Sequence, residues 1–248
     1  MNSALGNIKA IAKRELSAYF SSPVAYVFIF IFLIISPAFA FLFGAFFERD
    51  RASLESFFMW HPWFYLFLVP AVGMRLWAEE RRVGTLELLL TMPITTWQAI
   101  LGKFLACWAF LVLALALTFP IWVTVNYLGR PDNGVVICTY LGSALMAGTY
   151  LAIACMTSAM TRNQVVSFIL SLVICLVLVL GGVPRVQEFF NASELNWLGN
   201  FAASLSVYTH FESIQRGVID IRDLVYFFSI MVFSLFTTGV IIRSHRSG

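Results

Sequence analysis

Apolar residues along this chain run in long blocks that no charged side chain interrupts. Six intervals between consecutive charged residues each hold at least about 18 uncharged residues, the length at which a helix can cross a bilayer. The predicted spans are residues 24–47, 57–77, 98–126, 135–160, 165–183 and 222–242. A helix satisfies its own backbone hydrogen bonds in lipid, so the pattern predicts an all-α integral membrane protein with six transmembrane helices.

The segments outside the spans carry patterns of their own. Residues 1–22 alternate apolar and cationic positions at helical spacing, which predicts an interfacial elbow helix that lies along the membrane surface. Its cations are Lys9, Lys13 and Arg14. Residues 185–221 hold no span and are predicted to form short extracytoplasmic helices, where Gly217 ends one helix and Asp220 caps the last.

Residues 79–97 place a charged helix and a bend on a short loop between two spans. Four consecutive charges open the segment, and Pro93 stops its helix. Thr95 and Gln98 then fit a capping box that starts the next helix. Gly84 is expected to allow close approach of another protein. The segment is either a helix that rests on the membrane surface or a helix that docks into a cytosolic partner.

Composition and charge place the chain as one transmembrane domain, residues 1–248. It is 60% hydrophobic and only 12% charged, whereas soluble domains are about 25% charged. With the termini inside, ten of the 16 lysines and arginines face the cytosol, which favours an N-in, C-in topology. The net charge of +3 follows from that asymmetry, so the predicted partner is the lipid bilayer and not nucleic acid.

No catalytic motif is present in the sequence. It lacks a P-loop, a zinc signature, a nucleophile elbow and a Gly-rich dinucleotide turn, so we predict no catalytic, cofactor-binding or metal residue and no enzyme activity. The interiors of the spans are expected to hold no Asp, Glu, Lys or Arg. Ion-coupled transporters usually need such groups, so their absence argues against that class.

Three stretches of the sequence resemble a known family. The stretch GTLELLLTMPITTWQAILGKF is similar to the loop after the second span of type-2 ABC exporter permeases. The matching positions are Gly84, Thr85, Glu87, Leu88, Leu89, Pro93, Ile94, Thr95, Lys103 and Phe104. The stretches IAKRELSAYFSSPVAYVF and HFESIQRGVIDIRDLVYF resemble the gliding-motility (Gld-type) branch, which also occurs in bacteria that do not glide.

The resemblance implies partners and a role for residues 79–97. In such exporters two permease subunits, identical or homologous, pair in the bacterial cytoplasmic (inner) membrane, and each loop helix sits in a groove of a cytosolic ABC ATPase present in two copies. ATP and Mg would be bound by that ATPase, and no cofactor by this chain. The implied ATPase-coupling residues are Arg81, Arg82, Gly84, Thr85, Glu87, Leu88 and Pro93.

Three functions remain open from the sequence. The chain is the permease of an ATP-driven exporter, or a mechanotransmission subunit that acts on an extracytoplasmic partner without moving a substrate, or a structural subunit of another membrane complex. A neighbouring gene for an ATPase, together with a second permease that carries a large outer domain, would favour transmission or a heteromeric exporter. Failure to co-purify any P-loop ATPase would favour the structural role.

Overall fold

The computed structural model describes residues 4–42, 53–85, 94–192 and 196–244. Within these ranges the chain is helical and holds no strand, which confirms the all-α prediction. The described helices are α1 (Ala4–Ser21), α2 (Pro23–Leu42), α3 (Glu55–Phe58), α4 (His61–Gly73), α5 (Arg75–Val83), α6 (Thr96–Ala116), α7 (Phe119–Leu128), α8 (Asn133–Met160), α9 (Gln164–Leu180), α10 (Pro184–Ala192), α11 (Asn196–Ser204), α12 (Val207–Gln215) and α13 (Ile221–Ser244).

Four stretches of the described chain are long and apolar enough to cross a membrane. They are Ala25–Leu42 in α2, Thr96–Leu128 across α6 and α7, Asn133–Met160 in α8, and Ile221–Ser244 in α13. Helices α9 and α10 form a bent pair with an angle of 71° and make a fifth span if they are counted as one. The structure therefore supports four or five spans, and the six-span layout stays a prediction.

The predicted second span, residues 57–77, is divided among three shorter helices. α3 ends at Phe58, α4 begins at His61, and α5 follows α4 directly after Met74. Proline lies at the start of α4 and again near its end, at Pro62 and Pro70. Since proline removes a backbone donor and crowds the preceding turn, it favours helix starts and interruptions. This segment is less regular than its apolar pattern predicted.

The longest helix, α8, lies at the centre of the molecule. It packs against α4, α5, α6, α9, α12 and α13. Small residues along its length are buried, among them Gly142, Ser143, Ala147, Gly148 and Ala152. Small side chains let helix backbones approach closely, which is how membrane helices gain packing energy without a hydrophobic driving force between them.

The predicted breaks at proline and glycine are confirmed. The third span is interrupted between Leu117 and Thr118, just before Pro120, where Thr118 Oγ1 donates a 2.6 Å hydrogen bond to the carbonyl of Leu115. The fifth ends at Leu180, and Pro184 starts the tilted helix α10. In both places proline cannot donate to the preceding helical turn, so the helix bends or ends there.

The segment between α9 and α13 consists of short helices, as predicted. α12 ends next to Gly217, whose φ is +84°. The backbone N–H of Arg222 donates to Asp220 Oδ1 over 3.0 Å, so Asp220 acts as the predicted N-cap of α13. α12 packs on α8 and also contacts α9 and α13, which attaches this segment to the membrane helices.

Candidate functional site

The N-terminal helix α1 packs along α6 at one end of the bundle. A Cβ atom at Gly102 would lie 2.7 Å from Ile11 Cγ2, so only glycine permits this close approach. Lys9, Lys13 and Arg14 are all exposed on the opposite face, which confirms the amphipathic pattern that predicted this helix. Helix α1, the predicted elbow helix, is therefore held by its apolar side and presents its cations outward.

Helix α5 is anchored to α8 through one buried hydroxyl group. The backbone N–H groups of Trp77 and Ala78 donate to Ser158 Oγ over 3.0 and 2.9 Å, and that hydroxyl donates to the carbonyl of Met74 over 2.8 Å. The indole N–H of Trp77 donates to Cys155 Sγ over 3.1 Å. The Ser158 hydroxyl thus accepts hydrogen bonds from two backbone N–H groups just after α4 ends. Leaving these buried N–H groups without an acceptor would cost folding free energy.

Beyond Ala78 the helix ends at Val83, and its last residues become exposed, although Glu80 and Arg81 still contact the bundle. The side chain of Val83 is 63% exposed, although it is apolar. Gly84 has a φ of +79°, and its N–H donates to the carbonyl of Glu80 as the helix C-cap. This left-handed conformation strongly favours glycine.

One expectation about this segment needs correction. The helix predicted to run to Pro93 was expected to include Gly84, but α5 ends at Val83. Within the described chain a Cβ atom at Gly84 would meet nothing within 4 Å, so the backbone conformation is what favours glycine there. The close approach of another protein at Gly84 stays a prediction.

The predicted coupling residues are only partly placed by the structure. Arg82, Gly84 and Thr85 are exposed, whereas Arg81 is half-buried and donates to the carbonyl of Ala159. Burial lowers the pKa of the Arg81 guanidinium, and the nearby charge of Arg162 lowers it further. The remaining three, Glu87, Leu88 and Pro93, lie outside the described residues.

Lys103 forms a buried ionic cluster at the base of α5. Its ammonium lies 2.8 Å from Glu80 Oε1 on α5 and 3.4 Å from Glu15 Oε1 on α1, and the lysine side chain is only 5% exposed. It also lies 5.4 Å from the centroid of the Trp77 ring, within the range of a cation–π contact. One lysine on α6 therefore joins the elbow helix to α5. We refer to Glu15, Glu80 and Lys103 as the Lys103 cluster.

The cluster places one charge within a predicted span, because Lys103 lies two turns inside α6 and is buried there. Burial raises the pKa of the Glu15 carboxyl, but Lys103 and Arg14 outweigh that effect and hold the pKa below its ordinary value. Glu15 is therefore a carboxylate near neutral pH and completes the ion pair.

A cavity of about 440 Å³ adjoins the cluster. Its charged side includes Arg75 and Glu79 as well as the cluster itself, and its apolar side includes Phe28 and Phe110. The space between α1, α2, α5 and α6 is therefore not filled by side chains of the residues that the structure describes. Relative displacement of these helices need not create steric overlap there, unlike in a fully packed core.

The start of α6 is a second point of attachment. Thr95 Oγ1 accepts a bond from the Gln98 N–H over 3.3 Å, and Gln98 Oε1 accepts from the Thr95 N–H over 3.1 Å, which confirms the predicted capping box. Asn7 of α1 also donates to Gln98 Oε1 over 3.3 Å. The elbow helix is thus tied to the residues that directly follow the predicted coupling loop.

The last helix reaches the same place. A Cβ atom at Gly239 of α13 would lie 2.9 Å from the Trp97 ring, so glycine allows the indole to pack against the helix. The Arg243 guanidinium lies 5.7 Å from the same ring. We call this meeting of α1, α6 and α13 around Trp97 and Gln98 the α6 corner.

Sequence reasoning missed three residues of this site: Glu15, Glu80 and Ser158. Glu80 was counted among the charges that open residues 79–97 and Glu15 lies in the predicted elbow helix, but neither was assigned a partner, and Ser158 was not singled out in the predicted fourth span. The sequence feature that could have indicated this site is Lys103, which follows Gly102 near the start of a predicted span. If packing of that span buries the lysine, its ammonium needs a charged partner. Nothing in the sequence indicates which carboxylates provide it.

The comparison with known families decides the class of this protein. The family model described as ABC-2 family transporter protein matches residues 64–218, which is more than half of the chain. The chain belongs to the ABC-2 transporter family. No curated protein matches it significantly.

The region matched by the ABC-2 family model can be located on the helices described above. The matched region runs from α4 to the residues after α12, so it includes the central helix α8, α5 and the part of the α6 corner that α6 contributes. The chain is an integral membrane protein and a permease subunit of an ABC transporter. ABC-2 membrane subunits work with an ABC ATPase and usually with a second permease subunit.

Proposed function

We propose that this ABC-2 permease couples ATP hydrolysis on a separate cytosolic ATPase to export or to a conformational change across the membrane. Residues 79–97 are the docking segment, and the complex contains two ATPase copies and a second permease, identical or homologous. ATP and Mg bind to the ATPase. When the docking segment moves, the elbow helix moves with it. The likeness of residues 210–227 to the Gld-type branch supports an assignment to that branch.

The observation that carries this proposal is the connection of α5 to the elbow helix. The last residues of helix α5 present exposed charged and apolar side chains, as a helix that meets a partner does. Within the bundle, Glu80 of that helix is paired with Lys103, which also pairs with Glu15 of α1. A force applied to the exposed end of α5 therefore reaches α6 and α1 through charged contacts that are short and largely shielded from water.

The test is to co-purify the full chain with the ABC ATPase encoded next to it and to quantify the bound ATPase. Arg82→Glu reverses an exposed charge near the end of α5, and Glu87→Ala removes a carboxylate of the implied docking segment. Truncating one partner of a desolvated charge pair typically costs about 2–5 kcal/mol, so we expect ATPase binding to weaken by about tenfold or more.

Matched control variants are available on the opposite side of the membrane. Arg130→Glu and Glu55→Ala make the same changes in predicted outer segments, and Arg130 is exposed. Both should leave ATPase binding and expression unchanged. If Arg82→Glu and Glu87→Ala bind the ATPase as well as these controls do, the segment is a membrane-surface helix and not a docking site.

The proposed topology places both termini in the cytosol and the protein in the bacterial inner membrane. It is supported by the exposed cations of α1, because such residues favour the cytosolic surface. A reporter fused after Gly248 should be cytoplasmic, and a reporter inserted at Asp132 should report the outer compartment. An outer signal from the C-terminal fusion would contradict the orientation and, with it, the docking proposal.

A further inference from the structure

His210 and Asp223 form a largely buried pair between α12 and α13. His210 Nδ1 lies 2.6 Å from Asp223 Oδ1, and His210 Nε2 lies 3.1 Å from the backbone carbonyl oxygen of Ser204 at the end of α11. The side chains are 18% and 7% exposed, respectively. The imidazole also stacks on Tyr226 with ring centroids 4.0 Å apart. One histidine thus holds three helices of the predicted extracytoplasmic segment together.

The hydrogen-bond partners fix how many protons this pair must hold. A carbonyl oxygen can only accept, so Nε2 must carry a hydrogen to bond with Ser204. The contact between Nδ1 and Asp223 then needs one more proton, either on the imidazole or on the carboxyl group. Without that proton, two acceptors face each other across 2.6 Å. If the remaining hydrogen moves to Nδ1, the Ser204 carbonyl loses its donor.

We propose that the His210–Asp223 pair is a one-proton latch that holds α11 against α12 and the start of α13 and releases α11 when the pair loses its proton. Histidine is the side chain that ordinarily changes charge between about pH 5 and pH 8. The latch is closed while the pair holds this proton and opens when the proton is lost. It is a sensor of extracytoplasmic pH, a location that rests on the proposed topology.

Among the described residues, the imidazole ring contacts Asp223 and Tyr226 of α13 and the Ser204 carbonyl of α11. The Tyr226 hydroxyl also donates to the carbonyl of Leu205, just after α11, over 2.6 Å, a contact that does not depend on the proton of the pair. On α12, Glu212 is already paired with Arg216 over 2.6 Å. α13 packs along the central helix α8. Opening of the latch would therefore change how the outer segment is held against the transmembrane core.

The test is hydrogen–deuterium exchange of the full chain in lipid nanodiscs, with amide protection in α11 corrected for the intrinsic effect of pH on exchange. Between about pH 5 and pH 8, wild-type protection should fall about tenfold, because a hydrogen bond to a charged group is lost. Flat protection in the wild type would overturn the proposal without any variant. This measurement needs no ATPase, so its failure is separate from failure of the docking proposal.

We expect two variants to remove the pH dependence of amide protection in α11, one with high protection and one with low protection. In Asp223→Asn the amide can donate to Nδ1 while neutral His210 still donates to Ser204, so protection should stay high throughout. In His210→Gln the side chain cannot titrate, and protection should stay low. Glu212→Gln is the matched control on α12 and should keep the wild-type pH dependence. If Asp223→Asn keeps that dependence, or Glu212→Gln loses it, the pair is not the sensor.

Discussion

Replacing Lys103 by methionine tests whether the Lys103 cluster holds the docking side of the molecule together. The substitution keeps a long apolar side chain and removes the ammonium that lies 2.8 Å from Glu80 and 3.4 Å from Glu15. It leaves two carboxylates facing one position with no cation between them. We expect the variant to insert into the membrane but to hold α1 and α5 loosely.

The magnitude follows from the distances and the exposure. At an effective dielectric constant of about 20, the two contacts are worth about 6 and about 5 kcal/mol before the cost of removing the charges from water is subtracted. Removing one partner of a buried ion pair typically costs about 3–5 kcal/mol. Because Glu15 and Glu80 are still 19% and 20% exposed, we expect a loss of about 3 kcal/mol, near the lower end.

The assay is the free energy of unfolding in mixed micelles, measured by titration with a denaturing detergent and followed by tryptophan fluorescence. Glu15→Gln, Glu80→Gln and Lys103→Met combined removes all three charges, so the triple variant should recover to within about 1 kcal/mol of wild type. Arg82→Ala removes an exposed pair with Glu79 at 3.9 Å and should cost less than about 0.5 kcal/mol. The reasoning is refuted if Lys103→Met matches Arg82→Ala, or if the triple variant is less stable than the single one.

Four further predictions test other parts of the structure. Ser158→Ala leaves two buried N–H groups of α5 without their acceptor and should destabilise the protein by about 1–3 kcal/mol, measured by the same titration. Gly84→Ala forces a left-handed residue and should cost about 1–2 kcal/mol, seen as lower ATPase binding. Gly102→Ala places a methyl group against α1 and should cost about 1–3 kcal/mol, with faster proteolysis of that helix. Asp220→Ala removes an N-cap and should cost about 1 kcal/mol, with greater protease sensitivity of the outer segment but normal insertion.

Local rules predicted the ends of helices well. The capping box at Thr95, the N-cap at Asp220 and the interruption near Pro120 each depend on residues within four positions of one another. Such short-range chemistry is readable from sequence alone, because the donors and acceptors involved are neighbours in the chain. The amphipathic faces of α1 were predictable for the same reason.

Contacts between distant residues could not be predicted. Lys103 was counted only as a charge on the cytosolic side, because its partners Glu15 and Glu80 lie on two other helices and approach it only after packing. Gly84 shows a different limit, since a glycine required by its backbone angle and one required by a close neighbour look identical in sequence. The predicted second span, residues 57–77, is largely apolar but contains Pro62 and Pro70. The apolar pattern alone did not show that the helix would be interrupted near these prolines.

The α6 corner has a consequence for biosynthesis. Its parts come from the first described helix, from α6 and from the last described helix, α13, which contributes Gly239 and Arg243 around Trp97. A chain that is still being synthesised can pair α1 with α6 early, but it cannot cover Trp97 until α13 has entered the membrane. The corner next to the proposed docking segment is therefore completed only when α13 is in place, so in the proposed complex an unfinished subunit would present an incomplete surface to the ATPase.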